Sequence, residues 1–188
     1  MRRLIMWNVV TLDGYFEGER SWDLGFHELV WGEELERFSI GQLDSADMLV
    51  FGRATYEGMA SYWQKEEGEI AERMNRIPKA VCSRTLATAD WNNTVIVRDA
   101  AAGVRELKRQ GDGGLFVFGS GILSSALMKE GLFDEYRLAI APVFLGRGRL
   151  LFGKGLNYEL LELLEARPLS NGGLIVRYAK KTAGGGKK

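Results

Sequence analysis

The 188-residue chain is 46% hydrophobic, 27% charged and 11% aromatic, enough for one well-buried domain without requiring a second. Lys+Arg and Asp+Glu balance at 25 each, which argues against general attraction to nucleic acid or an anionic membrane and leaves any anion to a local site. One cysteine and one histidine exclude an internal disulfide, and they speak against a zinc site of the usual ligands and a Ser/His/Asp triad.

The chain begins with two arginines before an apolar run, but the run stops at Asp13-Gly14 with no small-residue cleavage site. It therefore reads as a first strand, Leu4–Thr11, and not as a secretion signal. No apolar stretch reaches the roughly 18 residues of a membrane span. A helix is expected over Glu28–Phe38, followed by a strand at Met48–Phe51 and helices at Thr55–Ala60 and Gly68–Asn75. Strands at Ala80–Ser83 and Val95–Val97, a helix at Ala100–Arg109, a strand at Leu115–Phe118, a helix at Ile122–Lys129 and a strand at Tyr136–Ala141 complete the alternation. This pattern implies an α/β fold with a mainly parallel sheet covered on both faces. Leu160–Ala166 and Leu174–Ala179 flank Ser170-Asn171-Gly172-Gly173, the signal for a closing antiparallel hairpin. Residues 1–181 read as one domain. The tail 182–188, with three glycines and two final lysines, reads as flexible.

Two strand-to-helix junctions carry the chemistry: Met48-Leu-Val-Phe-Gly52-Arg53-Ala54-Thr55 and Leu115-Phe-Val-Phe-Gly119-Ser120-Gly121-Ile122-Leu123. In each, a strand ends at glycine and a helix begins at once. A helix N-terminus presents unpaired N–H groups, and glycine lets a phosphate approach the backbone. Two such junctions suggest a ligand with a pyrophosphate, although each alone is more commonly a tight turn. The three spaced glycines of the Rossmann motif are absent.

Together with Thr11-Leu12-Asp13-Gly14, Pro78-Lys-Ala-Val-Cys-Ser83-Arg84-Thr85, Gly131-Leu-Phe-Asp-Glu-Tyr, Pro142-Val-Phe-Leu-Gly146-Arg-Gly148 and Leu151-Phe152, these junctions resemble the dihydrofolate reductase superfamily. The nearer likeness is to the branch containing the reductase domain of the bifunctional riboflavin-biosynthesis deaminase–reductase. The resemblance covers roughly residues 4–152 and implies a three-layer dihydrofolate reductase-like fold with NADPH as cofactor. It places Gly52, Arg53, Ala54 and Thr55 at the cofactor phosphates, and Ser83 and Arg84 at the adenosine ribose and its 2′-phosphate. Gly119, Ser120, Gly121, Ile122 and Leu123 fall under the pyrophosphate, and Val9 and Val10 beside the nicotinamide carboxamide. Ser120 departs from the family's usual glycine. The resemblance also implies a cis peptide between Gly119 and Ser120, and a homodimer. Independently of it, arginine's fork suits phosphate, while pairing with surface carboxylates is the ordinary alternative for Arg53 and Arg84.

For the substrate side, Trp31, Leu35 and Phe38 fall at helical spacing on one apolar face with Glu34 beside it. A carboxylate there should have a raised pKa and could protonate or pair with a heteroaromatic ring. Glu34-Leu35-x-x-Phe38 also resembles the acidic motif on the first helix of dihydrofolate reductase. Asp13 is the second candidate acid, with a turn-forming Asp-Gly pair as its plain alternative. His27 reads first as a helix-start residue and Cys82 as structural. Trp22, Trp31 and Trp63 could stack on a planar substrate. The expected function is cytoplasmic, NADPH-dependent reduction of a pyrimidine or pterin-like ring, most like the ribosylamino-pyrimidine reductase of riboflavin biosynthesis. Dihydrofolate reduction and a non-catalytic NADPH-binding or dimerisation module are the alternatives.

Overall fold

In the computed structural model, which describes residues 1–181, the apolar run after Arg2 forms β1 (Arg3–Thr11). Its side chains alternate between two covered faces: Leu4 and Met6 enter one core and Ile5 the other. The chain then makes a short strand β2 (Tyr15–Glu17), a 3-10 turn at Gly25–Leu29 and α1 (Glu33–Asp44). β3 (Ala46–Gly52), α2 (Arg53–Trp63), α3 (Glu69–Arg76), β4 (Lys79–Cys82), β5 (Thr94–Val97) and α4 (Ala100–Arg109) follow. The remaining elements are β6 (Gly114–Phe118), α5 (Gly121–Lys129), β7 (Glu135–Ala141), β8 (Arg149–Leu150), β9 (Leu161–Pro168) and β10 (Leu174–Lys180).

Eight strands form one sheet in the order β5-β4-β3-β6-β1-β7-β10-β9. The first six are parallel to their neighbours, and β10 runs antiparallel to both β7 and β9. β6 therefore fills the gap left between β1 and β3, which makes a crossing point in the strand order. Ligands of open α/β sheets bind beyond the C-terminal strand ends at such points.

Leu115 and Val117 of β6 pack with Val104 of α4 and Leu127 of α5, while Phe116 and Phe118 pack with Leu43, Tyr56 and Met74 of α1, α2 and α3. The helices thus cover both faces of the sheet, as the alternating pattern requires. The expected antiparallel hairpin is present, and its strand β9 is an edge. The tail 182–188, expected to be flexible, lies outside the described residues. Among the described residues no helix is long and apolar enough to cross a membrane.

The first helix differs from expectation. Gly32 is fully extended and separates Trp31 from α1, which runs six residues beyond Phe38 to Asp44. The inward positions of α1 are Leu35, Gln42 and Leu43. Trp31 lies outside the helix, half-exposed, and Phe38 tilts against Trp7 with ring centroids 5.3 Å apart. β2 and β8, which the sequence pattern did not suggest, pair as a small second sheet.

Candidate functional site

β3 and β6 pair in parallel with Val50 opposite Val117, so Gly52 and Gly119 end their strands side by side. The two junctions are tied by side chains. The Ser120 hydroxyl accepts from the Gly52 N–H at 3.0 Å and donates to the Phe118 carbonyl at 3.1 Å. The Ser120 N–H donates to Thr55 Oγ1 at 3.2 Å. Gly119 and Ser120 both adopt left-handed backbone, with φ of 57° and 55°. The expected cis peptide between them is not there; among the described residues every peptide is trans. Two successive left-handed residues turn the chain without a cis bond, which costs roughly 3 kcal/mol outside proline.

Neither α2 nor α5 has a side-chain cap. Their first-turn N–H groups, on Arg53, Ala54 and Thr55 and on Gly121, Ile122 and Leu123, are left for another partner. All of these residues line one cleft of about 1460 Å³. Gly52, Gly119 and Ser120 line it as well.

β1 outruns β6 on this side. The last pair is Trp7 with Phe118, and Gly119 donates to the Trp7 carbonyl at 3.4 Å. Because backbone groups alternate sides along a strand, the N–H and C=O of Val9 face the same way as those of Trp7, where no strand remains. Val9 lines the cleft. Val10 does not join it: alternation turns its backbone towards β7, and its side chain is buried in the core.

At the other end of the cleft, Ser83 and Arg84 follow β4 and Arg98 follows β5, with Arg53 opening α2 nearby. Arg53 donates to Glu57 at 2.8 Å and to Thr85 Oγ1 at 3.0 Å. The Ser83 hydroxyl accepts from the Leu86 N–H at 3.0 Å, shaping the turn that carries Arg84. The structure thus brings Ser83, Arg84 and Arg53 to one end of the cleft and adds Arg98, which sequence reasoning missed. Arg98 donates to the carbonyls of Ser83 and Leu86. Its signal was its place after Val95-Ile-Val97, the strand beside β4. Burial, followed by the nearby Asp99 carboxylate, pushes the Cys82 thiol up to about 12, which leaves it un-ionised.

The opposite end is lined by Trp7, Trp31, Leu35, Ser39, Gln42 and Trp63. Two aromatics of the segment after β1 close over helices at glycines. Trp22 lies on Gly58, where an added Cβ would come within 1.9 Å of its ring, and Phe16 lies on Gly121 at 2.3 Å by the same measure. Three buried side-chain nitrogens among the described residues have no hydrogen-bond partner: Asn8 Nδ2, His27 Nε2 and Gln42 Nε2. All three belong to residues that line this cleft. An unpaired buried donor costs about 1–3 kcal/mol, so each is a candidate to meet a ligand. Asn8 and Gln42 were missed; an amide inside the apolar run Trp7-Asn8-Val9 was the available signal.

The two predicted acids stand elsewhere. Glu34 does not line the cleft. Its carboxylate accepts from the Ser170 N–H at 2.8 Å and the Ser170 hydroxyl at 2.6 Å, fastening the β9–β10 turn to α1. These bonds hold its pKa below the ordinary value, not above it, because they favour the charged form. Asp13 accepts from the Leu145 and Gly146 N–H groups at 3.1 and 2.8 Å and from Thr11 Oγ1 at 2.5 Å. Although desolvation opposes them, those bonds lower its pKa too. It fixes a turn outside the cleft. His27 and Glu17 do line the cleft; Glu17 is salt-bridged to Arg149 at 3.0 Å.

Comparison with known proteins places this architecture. The model of the RibD C-terminal domain matches residues 2–175. The chain belongs to the RibD C-terminal domain family. It is 29% identical over 191 residues to the uncharacterized protein YyaP of Bacillus subtilis (strain 168), covering 94% of each chain. Its fold is similar to that of a putative riboflavin biosynthesis protein from Shewanella sp. PV-4, with TM-score 0.81 and 20% identity over 96% of this chain and 99% of that one. It is also similar to dihydrofolate reductase from Enterococcus faecalis complexed with NADP(H) and RAB-propyl, with TM-score 0.65 and 14% identity over 96% and 97% of the two chains. The RibD-type domain thus sits on a dihydrofolate reductase-like fold.

Proposed function

We propose that the protein is an NADPH-dependent reductase of a flat heteroaromatic ring, most like the ribosylamino-pyrimidine of riboflavin biosynthesis. The observation that carries this reading is the coupled pair of uncapped helix N-termini at Gly52 and Gly119, opening into a cleft with arginines at one end and tryptophans at the other. The donor set fits a dinucleotide phosphate. First-turn N–H groups of α2 and α5 would hold the pyrophosphate, and Ser83, Arg84, Arg98 and Arg53 the 2′-phosphate end. The free edge of Val9 would take the carboxamide.

NADPH supplies a hydride to an electron-poor ring. The residues of this chain bind and orient both partners. Trp7, Trp31 and Trp63 offer flat apolar faces, while Asn8 offers an amide to ring heteroatoms. Neither Glu34 nor Asp13 lines the cleft, and Glu17, which does, is paired with Arg149; this favours a ring read by neutral hydrogen bonding over one paired with a carboxylate. This supports pyrimidine reduction over dihydrofolate reduction.

The reading extends to a homodimer in the reducing cytoplasm. Its support is the lone cysteine together with edge strand β9, where Leu161, Leu163 and Leu164 are exposed beside unpaired backbone groups. Sedimentation at micromolar concentration tests the dimer.

NADPH oxidation with the ribosylamino-pyrimidine and with dihydrofolate tests the activity. Turnover of the pyrimidine alone is expected. NADPH binding without turnover of any ring would make the protein a binding module, and failure to bind NADPH would overturn the reading.

A further inference from the structure

Across α1 from the cleft lies a second recess of about 360 Å³, into which Arg37, Arg137, Arg167 and Arg177 converge from α1, β7, β9 and β10. Its charges do not balance internally. The fully buried Glu135 is shared by Arg3, Arg137 and Arg177, at 2.8, 2.7 and 2.8 Å. Glu165 is shared by Arg167 and Arg177, at 3.2 Å each. Glu34 at the rim is spent on Ser170. Arg37 at the rim is paired with Glu33 at 3.9 Å. Five guanidiniums thus face four carboxylates. Burial lowers the Arg137 pKa, and the charges of Arg177 and Arg3 press the same way against the pull of Glu135.

Donors are left over as well. Arg137 uses Nε on Glu135 and Nη1 on Gln42 at 3.4 Å, and Arg177 uses Nε and Nη1 on glutamates. Arg137 Nη2, Arg177 Nη2 and both terminal nitrogens of Arg167 form no hydrogen bond among the described residues. Gln42 is 2% exposed and lines this recess, with Nε2 unpaired. An arginine excess in a partly desolvated pocket with free forked donors and an orphan amide matches a small oxyanion of double charge.

We propose that this recess, which adjoins the cofactor cleft at Gln42, is a distinct binding site for a phosphate group and independent of the cofactor reading. Arg137, Arg167 and Arg177 supply the forks, Gln42 the neutral donor and Arg37 a flanking charge. Glu34 opposes the anion at the rim. The phosphate can be free or be carried on a sugar, and inorganic phosphate and ribose 5-phosphate separate these sources.

Isothermal titration of both probes at constant ionic strength tests the site. Four proteins are compared: wild type, Arg84→Ala, the double variant Arg37→Gln/Arg167→Gln, and Glu34→Gln. Arg37 is exposed and Arg167 half-exposed, and neither touches Glu135, so their replacement leaves the buried Glu135 cluster in place. Saturable binding that survives Arg84→Ala, weakens at least tenfold in the double variant and tightens severalfold in Glu34→Gln is expected. Tenfold corresponds to loss of one charge-assisted bond. Preference for ribose 5-phosphate over inorganic phosphate would identify a carried phosphate; equal affinity would identify the free anion. Should the double variant misfold, the opposite sign expected for Glu34→Gln still decides. The proposal is overturned if neither probe saturates, if Arg84→Ala abolishes all binding, or if Glu34→Gln weakens it. It is also overturned if the double variant only dissociates a dimer, which would assign the arginines to a partner's carboxylates.

Discussion

The Ser120 hydroxyl stands 3.0 Å from the Gly52 amide, joining two helix starts that lie 68 residues apart in the chain. With the Ser120 N–H on Thr55, this makes the two N-termini one rigid unit. Ser120 therefore has a structural task. Ser120→Ala should destabilise the fold by about 1–3 kcal/mol, since the Gly52 N–H loses its partner. For a chain of this length that is a fall in Tm of roughly 2–4 °C per kcal/mol. Ser120→Gly relieves the left-handed backbone but loses the same bond, so it should fall less. Calorimetry measures both, and an alanine variant as stable as wild type would refute the linkage.

Cofactor choice can be tested without a substrate. Arg84 and Arg98 lie at neighbouring strand ends in the cleft, and NADPH differs from NADH by a phosphate carrying nearly two charges. Charge-assisted bonds contribute roughly 1.5–3 kcal/mol each, so Arg84→Ala should weaken NADPH about tenfold or more. NADH should change little, and the salt dependence of NADPH binding should flatten. Arg98→Ala should weaken both cofactors, because Arg98 also holds the Ser83 and Leu86 carbonyls that shape the turn. Fluorescence titration decides. Equal weakening of the two cofactors by Arg84→Ala would remove the arginine from the 2′-phosphate.

The centre of the sheet was legible because its strands are buried on both faces and bounded by glycines or polar turns, so that Met48–Phe51 and Leu115–Phe118 stand out as unbroken apolar runs. The junctions at Gly52 and Gly119 were legible for the same reason, being local in sequence. The acids were not. Glu34 satisfies the helical spacing of a cleft residue, but the break at Gly32 changes which residues α1 turns inward, and Ser170, 136 residues away, captures its carboxylate. Asn8, Gln42 and Arg98 matter through neighbours that only the folded sheet supplies. One-dimensional periodicity assigns a face; it does not assign the partner across that face.

Gly58 lies within α2, where alanine would ordinarily stabilise the helix by roughly 0.5–1 kcal/mol. Its missing side chain instead seats Trp22, whose ring would stand 1.9 Å from an alanine Cβ. Sterics should outweigh propensity. Gly58→Ala is expected to displace Trp22, alter the near-ultraviolet circular dichroism and weaken ligands of the cleft, with the helix content kept. If the aromatic spectrum of the variant matches wild type, Trp22 does not depend on this seat.

The single histidine gives a pH dependence with a clean readout. His27 is mostly buried, its ring lies edge-on to Phe26 at 4.9 Å, and desolvation lowers its pKa from 6.5 to about 4. In the folded protein it therefore stays neutral where the unfolded chain already binds a proton. Between these two values the unfolded state holds more protons, so unfolding free energy must fall as pH drops from 6.5 towards 4. Above 6.5 both states are neutral and the group adds no slope. The full loss is of order 3 kcal/mol. His27→Phe keeps an aromatic ring beside Phe26 but removes the titration, so its stability should decline less steeply over the same range. The imidazole proton resonance of wild type follows the same group directly and should titrate near pH 4. A midpoint near 6.5 in the folded protein, or identical acid profiles for wild type and His27→Phe, would show that His27 is protonated freely and plays no part in acid stability.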